Sequence, residues 1–189
     1  MHHPGVDDLV NRHGRMVFTT AWRILGESTS AEDVLQTVFL KVLHLKDRQH
    51  AEIREWGAWL RVLATRCALD ELRSRRHHVL DSEELPDSFL ASPDDDPHQL
   101  LHEKQNAARM RRLLRELPDK DARIFALRFF EELSYEEIAA ALNLSVNQVG
   151  VSLHRSRKRL SVLLEKREAA GAVGFFGRFW NKEKRHGLS

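Results

Sequence analysis

The stretch Leu133-Ser134-Tyr135-Glu136-Glu137-Ile138-Ala139-Ala140-Ala141-Leu142-Asn143-Leu144-Ser145-Val146-Asn147-Gln148-Val149-Gly150-Val151-Ser152-Leu153-His154-Arg155-Ser156-Arg157-Lys158-Arg159-Leu160 reads as two helices and the corner between them. Ser134 with Glu137 three residues on is a capping box, in which the hydroxyl receives an early backbone N–H and the carboxylate reaches back to the serine's own. Ile138, Ala139 and Leu142 then share the inward side of the first helix. Asn143 is one of the few non-glycine residues that tolerate a left-handed backbone at modest cost, so Asn143-Leu144 predicts the turn and Ser145 the next cap. Val146, Val149, Leu153, Ser156, Leu160 and Leu164 recur at spacings of three and four and form the core side of the second helix. Small Ala139 allows close approach where the two helices cross at about 90–120°.

The opposite side of that second helix carries Gln148, Val151, Arg155, Lys158 and Arg159, with Asn147 in its first turn. An exposed helix fits the major groove of B-DNA, where amide side chains pair with base edges and cationic ones hold phosphates or guanine. A plain helical hairpin is the alternative, and it has no need of a one-sided basic surface.

Moving outward, Leu117-Pro118-Asp119 suits a fresh helix start, and Ile124, Phe125, Leu127 and Phe129 or Phe130 supply that helix's apolar face. Further back, residues 77–97 hold seven acidic groups, no Lys or Arg, and three of the five prolines. Like charges repel and proline interrupts helices, so this is the composition of an extended linker. The chain divides accordingly into a first domain at 5–79, an acidic Pro-rich linker at 80–98, a second domain at 99–166 and an extension at 167–189. Each half is near the lower size limit for an independent core. The alternative is that both halves dock on each other around one core.

In the first domain, Leu9, Val10, Met16, Val17, Ala21, Ile24 and Leu25 form a helical seam that stops at Gly26. Ser30 is placed to cap the next helix, with Asp33 as the acid three residues on. Ala31, Val34, Leu35, Val38, Phe39 and Val42 line that helix's core side, while Asp33, Gln36, Thr37 and Leu40 face water. An exposed leucine there fits a partner surface or is simply an isolated apolar residue on a wet face. Residues 46–56 read as a loop or short turn. A helix from about Gly57 to Arg76 buries Leu60, Leu63, Ala64 and Cys67 and ends in Arg73-Ser74-Arg75-Arg76-His77-His78. Trp56 and Trp59 flank its start, and aromatic rings beside basic residues can stack on unpaired bases or belong to a core. Alternation at period two is absent, so the fold class is all-α: two small helical domains, the second containing a helix-turn-helix.

Composition narrows the function. The chain has 189 residues, 31% of them charged, with 30 Lys and Arg against 28 Asp and Glu. The net of +2 says little, but basic residues concentrate at 61–76 and 145–160, on either side of the acidic stretch, and such clustering points to a polyanionic partner. Cys67 is the single cysteine, which rules out an intramolecular disulfide and a thiolate zinc pair. The adjacent pairs His2-His3 and His77-His78 are poor metal clamps, and His102-Glu103 lacks the second histidine of a zinc-protease helix. The glycines are dispersed and form no phosphate loop. No enzyme activity, metal or cofactor is expected. No early run resembles a signal peptide and no stretch approaches the ~20 apolar residues of a membrane span, so the cell interior is expected.

The combination of motifs resembles the bacterial RNA polymerase sigma factors of the extracytoplasmic-function group, the short form with conserved regions two and four. The residues that carry the resemblance are Ala31-Glu32-Asp33-Val34-Leu35-Gln36-Thr37-Val38-Phe39-Leu40, Trp59-Leu60 and Ala68-Leu69-Asp70-Glu71-Leu72-Arg73 in the first block. In the second they are Leu117-Pro118, Leu133 to Ala139, and Leu153-His154-Arg155-Ser156-Arg157-Lys158-Arg159-Leu160. The resemblance implies a detachable subunit that directs promoter recognition, DNA opening and transcription initiation. It implies that Asp33, Gln36 and Leu40 bind the clamp coiled coil of the RNA polymerase core, and that Trp56, Trp59, Arg66, Arg73, Arg75 and Arg76 engage and melt the downstream promoter element. Asn147, Gln148, Val151, Arg155, Lys158 and Arg159 would read the upstream promoter duplex. The protein would be cytoplasmic, associated with the nucleoid when bound to polymerase, and in many members an anti-sigma protein masks the same surfaces. The competing reading is a helix-turn-helix transcriptional regulator that acts without joining the polymerase, which leaves the first domain without a task.

Departures from the family pattern are Arg66 where many members have Asn, Val151-Ser152 where Ser-Arg is common, and Ser156 where Ala is common. An arginine missing at 152 implies one phosphate contact fewer. The extension beyond the usual end, apolar from Ala169 to Trp180 and then basic, is expected to dock on protein in preference to lipid headgroups.

Overall fold

The computed structural model describes residues 5–74 and 108–167, which form eight helices and no strand. They are α1 (Val6–Leu25), α2 (Ser28–Leu43), α3 (Asp47–Glu52) and α4 (Trp56–Ser74), then α5 (108–115), α6 (Asp119–Phe129), α7 (Tyr135–Leu142) and α8 (Val146–Arg167). The expected linker at 80–98, Arg75, Arg76, residues 99–107 and the extension beyond Arg167 lie outside the described residues.

Helices α1, α2 and α4 pack on one another as the first cluster. Leu9, Val17, Ala21 and Ile24 of α1 are buried, but Val10 is 39% exposed, so the seam is narrower than its apolar residues suggested. The helix stops where Gly26 turns left-handed at φ 74°, its N–H donating to the Trp22 carbonyl, a conformation that glycine adopts without steric cost. The next helix starts two residues before the expected cap. Glu27 is the extended N-cap residue, and Ser30, fully buried in the first turn, donates from Oγ to Glu27 Oε2 at 2.7 Å. Ser30 therefore ties the first turn back to Glu27 and is not the cap.

The segment expected as a loop at 46–56 contains the short helix α3, whose start is fixed by the Lys46 N–H donating to Gln49 Oε1 at 3.1 Å. His50 places Nε2 3.3 Å from the Val42 carbonyl and holds α3 against α2. Leu60, Ala64, Thr65, Cys67, Ala68, Leu69 and Leu72 are all buried in α4. Cys67 is 5% exposed and accepts from Lys41 Nζ at 3.3 Å, the setting of a small core residue with a protected thiol.

In the second cluster Pro118 directly precedes α6, where its fixed φ of −56° suits a helix start. Ala122, Ile124, Phe125, Ala126 and Leu127 are buried, and α6, α7 and α8 pack together. Phe129 and Phe130 are both half-buried, and the rings of Phe125 and Phe129 stand 4.2 Å apart. The two clusters also meet, α4 lying against α6 and α7, and the buried apolar residues of both are contiguous. Among the described residues no helix is long and apolar enough to cross a membrane.

Two substitutions test this packing in opposite directions. Leu60 is fully buried, so Leu60→Ala should cost about 2–5 kcal/mol through the lost transfer energy and the cavity left behind. Ser156 is buried and its Oγ has no hydrogen-bond partner, so Ser156→Ala removes an uncompensated hydroxyl from a helix and should stabilise by roughly 1 kcal/mol. Urea unfolding at constant m-value measures both, and a destabilised Ser156→Ala would show that the hydroxyl is satisfied in solution.

Candidate nucleic-acid interface

The corner between α7 and α8 is built as its residues require. Ser134 Oγ accepts the Glu137 N–H at 3.1 Å and Glu137 Oε2 accepts the Ser134 N–H at 2.7 Å, the reciprocal pair of a capping box. Asn143 adopts φ 53° and ψ 53°, and the Leu144 N–H closes the turn onto the Ala139 carbonyl at 2.8 Å. A second reciprocal pair starts α8: Ser145 Oγ accepts the Gln148 N–H at 3.2 Å while Gln148 Oε1 accepts the Ser145 N–H at 2.9 Å. The spacing Ser145 to Gln148 carries that signal in the sequence and gives Gln148 a task besides base contact. Its amide oxygen belongs to the cap, and its NH2 group remains for a ligand.

Val149, Leu153, Ser156 and Leu160 are buried on the inner side of α8, but Val146 is 43% exposed. As the first residue of the helix it precedes the turn that Val149 packs inward. Asn147, Gln148, Val151, Arg155, Lys158 and Arg159 are all exposed. The remaining cation of this block, Arg157, turns inward beside Tyr135 and Arg128. Burial lowers its pKa from the ordinary arginine value, with the Tyr135 charge opposing and Arg128 adding to that shift. Arg128 lies over the Tyr135 ring at 5.6 Å and donates to the Leu133 carbonyl at 3.0 Å, so the pair braces the approach to the turn.

One residue under the exposed side has no signal in the local sequence. Asp121 of α6 is 8% exposed and accepts from Ser152 Oγ at 2.5 Å and from Arg155 at 3.4 Å. Position 152 is buried in this chain, and its serine hydroxyl faces the Asp121 carboxylate. Asp121 also tethers Arg155, whose side chain is 62% exposed. A groove opens beside it between Pro118 and the second half of α8, lined by Asp121, Lys158, Arg159, Val162 and Leu163. No pattern of local periodicity marks Asp121, because its partners lie more than thirty residues away.

In the first cluster Asp33, Gln36 and Leu40 are exposed along one side of α2, with Leu40 at 53% and Leu43, which the sequence reading omitted, at 60%. Trp56 and Trp59 are half-buried against the core and meet edge to face at 5.7 Å, with the His50 ring 5.0 Å from Trp56. Arg66 is exposed and 3.9 Å from Asp70. Arg73 turns toward the second cluster, 2.6 Å from Asp119.

The comparisons with known proteins follow the same division. The Sigma-70 region 2 family matches residues 9–78 and the Sigma-70 region 4 family matches residues 107–160. The chain is 31% identical over 171 residues to the ECF RNA polymerase sigma factor SigE of Mycolicibacterium smegmatis, covering 89% of this chain and 65% of that protein. It is 30% identical over 162 residues to the RNA polymerase sigma-E factor of Streptomyces avermitilis, covering 86% of each. In fold it is similar to CnrH, solved in complex with the cytosolic domain of CnrY, at a TM-score of 0.52 and 23% identity over 86% of this chain and 89% of that one. The chain belongs to the extracytoplasmic-function sigma factors of bacterial RNA polymerase, in the form built from Sigma-70 regions 2 and 4.

Proposed function

We propose that this sigma factor joins the RNA polymerase core through the exposed side of α2, opens promoter DNA along α4, and reads the upstream duplex with α8. Members of the family are non-catalytic subunits, so the covalent chemistry belongs to the polymerase. The observation that carries the reading is the exposed set on α8: three cations and two amides on one capped helix, with the core kept on the other side. Arg155, Lys158 and Arg159 supply the salt-dependent hold on phosphates, while Asn147, the NH2 of Gln148 and Val151 face base edges. On α2, Leu40 and Leu43 present an apolar strip beside Asp33 and Gln36, a composition suited to a protein partner. On α4 the half-exposed rings of Trp56 and Trp59 offer stacking surface for unpaired bases next to Arg66 and Arg73.

We further propose that the protein acts in the cytoplasm, at the nucleoid when bound to polymerase, and that a regulatory protein of the anti-sigma class restrains it; the fold neighbour CnrH is solved in complex with the cytosolic domain of CnrY. For the extension beyond Arg167 we propose docking on protein.

Reconstitution tests the central reading. Core polymerase with this chain as its only sigma factor should initiate from a subset of genomic promoter fragments, whereas duplex binding without initiation would make the chain a free-standing regulator. Leu40→Asp changes an exposed side chain, so it should leave folding and duplex binding unaltered and weaken association with core at least tenfold. Arg155→Ala should weaken duplex binding by about 1–3 kcal/mol and lower the slope of log K against log salt by about one, with core association unaltered. Equal loss of both activities in either variant would overturn the division of labour.

A further inference from the structure

Asp121 stands where α6 packs against α8, and none of the contacts proposed for α8 employs it. It lies in the first turn of α6 and is buried, and the side-chain donors it meets both come from α8. Ser152, fully buried, donates from Oγ to Asp121 Oδ1 at 2.5 Å. Arg155 donates to the same oxygen at 3.4 Å. Ser152 and Arg155 are three residues apart, so they leave α8 on one side, one turn from each other. Their surroundings differ: the serine is enclosed, whereas most of the arginine side chain is in solvent. A guanidinium carries five N–H donors in a rigid plane. Asp121 engages one of its nitrogens, and the outer edge stays open to a ligand.

A carboxylate under a surface that attracts phosphates opposes binding as such, because it repels the phosphate and offsets part of one cation. Asp121 lines the same groove as Arg155, Lys158 and Arg159, so its charge is felt by all three. The compensation lies in geometry. An unheld arginine samples many rotamers and loses them when it is immobilised. A guanidinium already fixed at its inner edge loses fewer, and it meets a phosphate at one position. Phosphate contacts set the register and orientation of a recognition helix, and base contacts then specify the sequence. A helix that slid along the groove would carry Asn147, Gln148 and Val151 away from their base edges. Fixing Arg155 therefore bears on discrimination without any contact between Arg155 and a base.

We propose that Asp121 is a positioning residue for promoter discrimination. Ser152 fixes its carboxylate, and the carboxylate holds the inner edge of the Arg155 guanidinium so that the outer edge clamps one phosphate and sets the register of α8. The arrangement lowers affinity for arbitrary duplex and raises selectivity among duplexes. This rests on the reading of α8 as the helix that enters the duplex groove.

The test uses the full chain and two probes: a pool of randomised duplexes, and the duplexes that the unsubstituted chain selects from that pool. Discrimination is the dissociation constant for the pool divided by that for the selected set. Asp121→Asn keeps the shape and an acceptor for Ser152 while removing the charge. It should tighten binding to the pool about two- to fivefold at low salt and lower discrimination about three- to tenfold. A merely structural role would weaken binding to both probes together; that outcome, or an unchanged ratio, overturns the proposal. In an Arg155→Ala background the Asp121 exchange should leave the ratio where it is, and a further fall would show that Asp121 acts through some other group. Arg155→Lys alters an exposed side chain, so it decides the matter even where Asp121→Asn folds poorly. Lysine keeps the charge but cannot hold carboxylate and phosphate in one rigid plane, and discrimination should fall about three- to tenfold; a preserved ratio overturns the proposal. If the reading of α8 itself were at fault, Arg155→Ala would leave binding to both probes unaltered. If the positioning alone were at fault, Arg155→Ala would weaken binding while Asp121→Asn left the ratio in place.

Discussion

Helix α8 has to satisfy two environments at once, and the second cluster is organised around that requirement. Its inner side buries Val149, Leu153, Ser156 and Leu160 against α6 and α7, which fixes the rotation of the helix about its own axis. Once that rotation is fixed, Asn147, Val151, Arg155, Lys158 and Arg159 have no choice but to point into solvent. A half-turn of about 180° about the axis would exchange the two sets and bury three cations, at a cost no pairing in this cluster could offset. Arg157 shows the limit of tolerance: one guanidinium is taken inward, where burial disfavours its charge and the Tyr135 side chain offers partial relief.

Much of this was legible beforehand because it is local. Ser134 with Glu137, Asn143 at the corner, and the three-and-four spacing of the α8 core are statements about residues within one or two turns of each other, where backbone geometry dictates which side chains meet. The start of α2 at Ser28 differs from the expected cap at Ser30 for a related reason. Both Glu27 and Ser30 are acceptable near a helix start, and only the left-handed Gly26 decides that the helix begins immediately, leaving Ser30 inside the first turn. The short helix α3 escaped notice because six residues carry too little periodicity.

What was illegible is long-range. Asp121 reaches Ser152 and Arg155 across thirty-one and thirty-four positions, and Glu131 draws Arg23 and Arg61 from the other cluster. No spacing rule connects such residues; they meet because helices cross. The same limit applies to position 152, where a buried hydroxyl meets a carboxylate that no local spacing announces. The α2 surface lies between these cases. Its wet side followed from periodicity, whereas the extent of the apolar strip, with Leu43 more exposed than Leu40, depended on where the chain turns toward α3.

The reciprocal bonds between Ser145 and Gln148 couple two properties that usually vary separately. On the proposed reading, any exchange at 148 alters base preference and at the same time weakens the nucleation of the helix that presents every other reading group. Divergence of promoter preference among descendants of this chain is therefore steered toward Asn147, Val151 and Arg155, where side chains can be traded without disturbing the helix origin. Glutamine at 148 is the position that regulon evolution would change last.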